Sequence, residues 1–243
     1  MKDILQDIVA HTHALGVITV LRVETDSKTT TIGTVTEDRS LILQAETHNR
    51  IGEFEGVFGM NYLDKLNLHL KNPEYQEDAK IEVVKKVKDG DEYPSHLHFE
   101  NVIGDFQNDY KFVNSQIMDS QHKAAKFKGA NWNVEFEPPV ASITRMKLMS
   151  AAHSDSTVFV AKTEGKNLVF TFGESNDHEG QFVFKHNVGG MLTTPRAYPV
   201  NLMQSILSLS GESYISISDQ GIMKISIDSG LAKYDYILPA QSK

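Results

Sequence analysis

Apolar and polar residues alternate with period two along most of this chain, the spacing that turns one face of a strand to a core and the other to water. The alternation predicts strands over residues 17–22, 30–35, 41–45, 81–87, 157–162, 167–172, 181–185, 214–218, 223–227 and 233–238. Turn residues punctuate them at Asp89-Gly90, Glu164-Gly165-Lys166, Gln220-Gly221 and Ser229-Gly230. Such pairs supply the left-handed backbone that tight hairpins need. The chain therefore reads as α+β and β-rich.

Four short segments carry helical periodicity instead. In residues 3–13, Ile4, Leu5, Ile8 and Val9 share a face, with Gly16 beyond the end. In 61–71, Leu63, Leu66 and Leu70 are in phase; Asn61 is placed to cap the helix and Pro73 to stop it. In 142–152, Ile143, Met146 and Met149 follow Pro138-Pro139 in phase. In 201–209, Met203, Ile206 and Leu207 point inward, with Asn201 as cap and Gly211 at C′.

The spacing of these helices organises the whole chain. The two Asn caps lie 140 residues apart (201 − 61), and so do Ile8 and Leu148 in the first and third helices (148 − 8). Val17-Ile18-Thr19-Val20 then falls opposite Thr157-Val158-Phe159-Val160. Agreement of independent elements at one offset predicts a duplicated domain of helix, strands, helix, strands. The expected boundaries are 1–118 for the first copy, 119–133 for a linker and 134–243 for the second copy. The linker run Gln121-His122-Lys123-Ala124-Ala125-Lys126-Phe127-Lys128-Gly129 has no clean period. Extra hairpin material around 85–106 lengthens the first copy.

Composition narrows the chemistry. The 243 residues are 40% hydrophobic, enough for two cored domains, and the formal charge is −8. A uniformly basic coat for nucleic acid is excluded, so any DNA contact must come from a local strip. With no cysteine, disulfides, thiolate metal sites and a cysteine nucleophile are excluded. The start, Met1-Lys2-Asp3-Ile4-Leu5-Gln6-Asp7, has no signal-peptide core, and no apolar run approaches the roughly 20 residues that span a bilayer. The expectation is a soluble cytoplasmic protein, in the host cytoplasm if viral, with no membrane partner.

Candidate catalytic motifs do not survive inspection. Gly90-x₅-His96-x-His98 matches the opening of a cupin metal motif, and on a strand His96, His98 and Glu100 would share a face. The cupin glutamate belongs three or four residues beyond the second histidine, however; Glu100 comes too soon and no second motif follows. Polar residues on a solvated hairpin face are the better reading, with no metal and no cofactor. His11-x-His13 sits near a helix end where the two side chains diverge. No phosphate-binding loop, nucleophile elbow, zinc-protease helix or dinucleotide fingerprint is present. Gly189-Gly190 reads as a turn. Lys85, Lys86 and Lys88, alternating with Val84 and Val87, read as a solvated strand edge where lysine discourages stray pairing. The chain is expected not to be an enzyme.

Three segments carry a family resemblance. Lys233-Tyr234-Asp235-Tyr236-Ile237-Leu238-Pro239 is similar to the ending that closes the second domain of DNA sliding clamps. Phe136-Glu137-Pro138-Pro139-Val140-Ala141-Ser142 resembles the phage-type entry into that domain, and 57–66 resembles the family's second helix and its preceding strand. With the duplicated architecture, the chain resembles the sliding-clamp superfamily, T-even-like phage clamps most, and shares pieces with proliferating cell nuclear antigen (PCNA).

The resemblance implies a ring of six domains, with antiparallel sheets outside and short helices inside, made as a homotrimer of a two-domain chain. It implies a processivity factor that encircles double-stranded DNA without reading sequence, tethers the replicative DNA polymerase and is opened by an ATP-driven clamp loader. Seams in this family pair edge strands head to tail. By position these are Tyr110, Phe112 and Asn114 in the first domain and Phe182, Phe184 and His186 in the second. Short apolar partner peptides would dock on Ile117 and Met118 with Tyr236, Ile237, Leu238 and Pro239. Phosphates would meet Lys2, Lys65, Lys71, Arg145 and Lys147 on the helices. Here the sequence departs from a good clamp pattern: the fourth helix has no Lys or Arg, the first carries Asp3 and Asp7, and Arg145 and Lys147 cannot point the same way. The rival readings are a cupin-like metal-dependent β enzyme using His96 and His98, and a structural β protein of a virion.

Overall fold

The computed structural model describes residues 1–76, 78–88, 90–122, 124, 127–173 and 178–241. Asp89 of the expected turn and Lys123, Ala125 and Lys126 of the expected linker lie outside the described residues, as does the Lys88 side chain. The chain forms two compact units. One comprises Met1–Thr36, Leu43–Lys126 and Ser229–Tyr234; the other comprises Glu37–Ile42, Phe127–Asp228 and Asp235–Lys243.

The first unit runs α1 (Lys2–Thr12), β1 (Val20–Thr25), β2 (Thr30–Val35), β3 (Ile42–Thr47), β4 (Gly56–Asn61), α2 (Leu63–Lys71), β5 (Lys80–Lys88), β6 (Asp91–Glu100), β7 (Gln107–Lys111) and α3 (Ser115–Gln121). Its strands lie in the orders β4-β1-β2-β3 and β5-β6-β7. The second unit runs β8 (Val134–Phe136), α4 (Val140–Ala152), β9 (Val158–Glu164), β10 (Asn167–Gly173), β11 (Glu179–Lys185), β12 (Arg196–Pro199), α5 (Val200–Leu207), β13 (Glu212–Ser218), β14 (Ile222–Asp228) and β15 (Ala232–Pro239). Its strands lie in the orders β11-β10-β9-β12 and β15-β14-β13-β8. From α1 and from α4 alike, the sequence is helix, four strands, helix, three strands. The ladders on both sides are antiparallel.

Local chemistry accounts for the differences from the sequence reading. Asn61 does not cap α2: it ends β4, and the helix is entered through Tyr62 in the left-handed region, φ 51°. Asn201 lies inside α5, which starts directly after Pro199; α4 likewise starts directly after Pro139. Proline at these entries presets φ and has no N–H to leave unsatisfied. Gly211 is not a C′ residue, because α5 ends at Leu207. At φ +120° it instead passes so close to β14 that an added Cβ would meet the Asp228 carbonyl at 2.4 Å. Gly190 similarly lets its loop cross the backbone of Asn133, 1.7 Å from where a Cβ would sit. Periodicity does not mark β4, β6, β7, β8, β12 or α3: β8 and β12 are too short to alternate, and the one-turn-plus α3 is set by Asn114, whose side chain accepts from the Ile117 N–H at 3.0 Å.

In the first unit, α1 buries Leu5, Ile8 and Val9, each worth about 1.5–3 kcal/mol. The same helix holds the segment Ser229–Tyr234. Asp7 accepts from the Ser229 hydroxyl at 2.9 Å and the Tyr234 hydroxyl at 2.7 Å, and pairs with His11 at 3.2 Å. The His11 ring stacks on Tyr234, centroids 4.5 Å apart. Burial pushes the Asp7 carboxyl up, but its bonds from His11, Tyr234 and Ser229 outweigh this and leave it below its ordinary 3.8. A lowered carboxyl contributes stability above about pH 4 and loses it as pH falls through the depressed value. Asp7→Asn is therefore expected to cost about 1.5–3 kcal/mol at pH 7 and clearly less at pH 3, as read from urea unfolding at the two pH values.

Candidate nucleic-acid and subunit interfaces

In the first unit α1 and α2 pack together, leaving a groove bordered by Gln6, His13, Asn67 and Lys71. Lys71 and Lys65 are exposed on α2, and the Lys65 ammonium stands 4.7 Å over the Tyr62 ring. Lys2 is differently engaged. Its ammonium donates to the Tyr75 carbonyl at 2.6 Å, a bond it would give up to reach a phosphate. In the second unit Arg145 and Lys147 are both exposed on α4, roughly 200° of helical turn apart. They flank a ridge bearing Thr144 and the exposed Leu148. On α5, Gln204 faces α4 and bonds to Ser150. Among the described residues, Lys65, Lys71, Arg145 and Lys147 have no ion-pair partner. Unpaired cations on exposed helix faces can meet phosphates without reading bases.

Both strands marked as edges do end a sheet: β7 is last in β5-β6-β7, and β11 is last in β11-β10-β9-β12. The β7 edge can be read residue by residue. The Phe112 N–H donates to Ser95 and the Asn101 N–H to Phe106, so even-numbered residues of this strand bond toward β6. Odd-numbered ones turn their backbone outward, because alternate residues of an antiparallel strand face opposite sides. Val113 uses that outer side to exchange two 2.8 Å bonds with Gly59 of β4. Lys111, Asp109 and Gln107 continue the outward row, beside a 340 Å³ groove walled by Asn61, Tyr62, Lys65 and His69 of the β4–α2 corner. At the other edge strand, α4 lies on β11 closely enough that a Cβ at Gly180 would meet His153 and Met149 at 2.5 Å.

The side chains named from the sequence as seam residues point largely into their own units. Tyr110 is buried with its hydroxyl on the Asn61 carbonyl, and that burial raises its pKa beyond the ordinary phenol value. Phe112 packs on Phe58 at 4.2 Å and Phe184 on Phe170 at 4.3 Å; Phe184 is 1% exposed. Phe182, half-buried, packs edge-on to Phe170. Asn114 caps α3, and His186 bonds to Asn167 at 3.1 Å. What these strands leave open is backbone. Sequence position finds such strands, but the free groups follow only from hydrogen-bond parity.

On the outer face of β6 and β7, His98 stands opposite Asp109 and His96 opposite Lys111. Asp109 accepts from Lys111 at 2.8 Å and meets His98 Nδ1 at 2.9 Å. These two bonds, Lys111 first, hold its carboxyl at about 2. His98 also approaches Glu100 at 3.5 Å, and burial lowers His96. The cross-strand ladder spends its charges on itself, and among the described residues no three potential ligands converge as a metal would require.

Of the residues expected to receive peptides, Ile117 is 40% exposed on α3, whereas Met118 is buried against Gly59 in the first unit. Tyr236, Ile237 and Leu238 are buried in the second unit and Pro239 is half-buried. Tyr236→Ala with Leu238→Ala is therefore expected to lower stability by about 2–5 kcal/mol per site, visible as a large drop in thermal midpoint. The sole tryptophan, Trp132, sits under the Lys224 ammonium at 5.3 Å and beside Phe127, a contact nothing in the sequence links. No helix among the described residues is long and apolar enough to cross a membrane.

No family model matches the chain, and no curated protein matches it in sequence. Solved structures do. A. fulgidus PCNA bound to the C-terminal region of FEN-1 superposes with TM-score 0.70 at 13% identity, covering 100% of this chain and 96% of the other. PCNA from Thermococcus kodakaraensis superposes with TM-score 0.67 at 12% identity, covering 98% and 97%. From end to end, the chain has the fold of a PCNA-type sliding clamp.

Proposed function

We propose that this chain is a DNA sliding clamp and not an enzyme: three copies close head to tail into a ring that encircles duplex DNA and tethers the replicative polymerase. The observation that carries this reading is that the whole length of the chain follows the clamp fold, with β7 of one unit and β11 of the other each ending a sheet. One chain offering two different edges makes heterologous contacts, and such contacts close into a ring when the rotation allows. Backbone pairing of β7 with β11 of the next copy joins them.

DNA is held by topology with help from Lys65, Lys71, Arg145 and Lys147; Lys2 contributes only if it leaves Tyr75. An ATP-driven loader belonging to other proteins opens a seam. For short apolar peptides of the polymerase, exposed Ile117 is the contact offered by the first unit and half-buried Pro239 that offered by the second, while Met118, Tyr236, Ile237 and Leu238 are buried within their own units. Nothing in the geometry favours the cupin reading, since His96 and His98 are committed to the carboxylate–lysine ladder.

Native mass spectrometry at micromolar concentration should find three chains per particle; only monomers or dimers would refute the trimer. Ile117→Ser should weaken binding of a polymerase-tail peptide at least tenfold with an unchanged melting temperature, followed through Trp132 emission. Equal affinities would place the peptide site elsewhere.

A further inference from the structure

Among the described residues, the hairpin turn between β6 and β7 exposes the most water-facing pair of adjacent apolar residues in its unit: Val102 is 68% and Ile103 77% exposed, and Phe106 beside them is half out. A floppy turn with this composition would fold its apolar groups inward. This one is held open by a single buried side chain. Asn101 Oδ1 accepts the N–H groups of Gly104, Asp105 and Phe106 at 3.0, 3.1 and 3.2 Å. Its Nδ2 donates to Asp105 at 2.8 Å and to Glu74 at 3.2 Å. The backbone closes the turn through Asn101 N–H to Phe106 and Gly104 N–H to Asn101, with Gly104 at φ +79°. Phe106 rests on the buried Tyr75 ring at 5.6 Å. Fixing the turn in advance removes the ordering cost of presenting Val102 and Ile103 to a partner.

Charge says which partner. Carboxylates of Glu74, Asp105 and Glu100 ring the tip, Glu100 held there by Gln107 at 3.1 Å. Two described cations lie near this collar and both are engaged: Lys80 is 4.0 Å from Glu100 and is shared with Glu82 at 2.8 Å, and Lys2 donates to the Tyr75 carbonyl beside Glu74 at 2.6 Å. An apolar point in an acidic collar repels phosphates and anionic lipid and suits a protein cleft with an apolar floor and a Lys/Arg rim. Position says when. β7 runs from this tip toward α3, so tip and Ile117 lie at opposite ends of one strand, about 20 Å apart at roughly 3.3 Å per residue.

We propose that the 101–106 turn is a second protein-docking site, for a partner with a basic-rimmed apolar cleft, that works while a tail peptide occupies the Ile117 end. It rests on the clamp reading only for that simultaneity. The probe is a displayed library of random peptides, selected on the full chain and counter-selected on Val102→Ser/Ile103→Ser, a variant exposed enough to keep the parent's thermal midpoint. Enriched peptides should combine an apolar core with flanking Lys or Arg. They should lose at least tenfold in affinity on the double variant and on Glu74→Lys/Asp105→Lys, and be indifferent to saturating tail peptide. Failure to enrich over the double variant, enrichment of acidic or neutral sequences, or displacement by the tail peptide would each overturn the proposal. So would loss of self-association in the double variant, which would make the tip a contact between copies. Retention of the unmutated protein on circular DNA is unaffected by any of these outcomes, so the clamp reading stands or falls separately.

Discussion

Lys111→Pro is expected to dissolve the proposed ring into folded single chains. The Lys111 N–H is on the outward row of β7, opposite in direction to the Phe112 N–H that bonds Ser95, so proline there removes no bond of the β6–β7 ladder. The Lys111 side chain reaches only Asp109 among the described residues. The change therefore spares the unit's core while taking a donor from the seam and placing a ring where the next copy's strand must approach. Proline inside a paired strand removes a ladder hydrogen bond; leaving the partner carbonyl unsatisfied costs about 1–3 kcal/mol, roughly five- to a hundredfold in the dissociation constant of each seam. Native mass spectrometry should show monomers with an unaltered far-ultraviolet spectrum and cooperative unfolding. A persisting trimer would mean that β7 is not the seam. Phe184→Asp looks equivalent from strand position but is not. With Phe184 buried on Phe170, it puts an unpaired carboxylate in the core and should unfold the second unit.

That contrast marks how far the sequence is informative. Period-two alternation locates ten strands within a few residues, most cleanly where one face meets a core and the other water, as in β2 and β3; β10, buried at five consecutive positions, is found by its apolar run. Thr30–Val35 is recovered with its bounds. The duplication is present, since both α1 and α4 open a set of helix, four strands, helix and three strands, although the Asn61 and Asn201 pair that helped suggest it caps neither helix. The two edges, too, are legible as strands. Their chemistry is not, since a backbone donor carries no residue letter: Tyr110, Phe112 and Phe184 draw the eye, yet they fill cores, while the exposed row passes through Asp109 and Lys111. Tyr236 and Leu238 mislead in the same way, being apolar enough for a peptide pocket and apolar because they are buried. Asn101 is the opposite case. One asparagine in a hairpin looks like ordinary turn chemistry, and only its five side-chain bonds show that it props an apolar tip into water.

The cations leave the same question to experiment, because an exposed lysine looks alike whether or not phosphate lies opposite. With a formal charge of −8 and a handful of unpaired helix-face cations, affinity alone should be weak. A protein depending on six to ten phosphate contacts loses about 10³–10⁵ in affinity between 50 and 200 mM salt. A closed ring is exempt, because escape requires opening a seam or reaching a DNA end. Lys65→Glu with Arg145→Glu should accordingly slow loading more than it shortens retention on circles.

Retention on DNA before and after cutting tests the central claim most directly. Loaded onto circular duplex with a clamp loader and ATP, the protein should survive a high-salt wash and then leave promptly when a restriction enzyme linearises the circle at fixed salt. Retention that is equal on circle and line would mean ordinary surface binding and would contradict the ring.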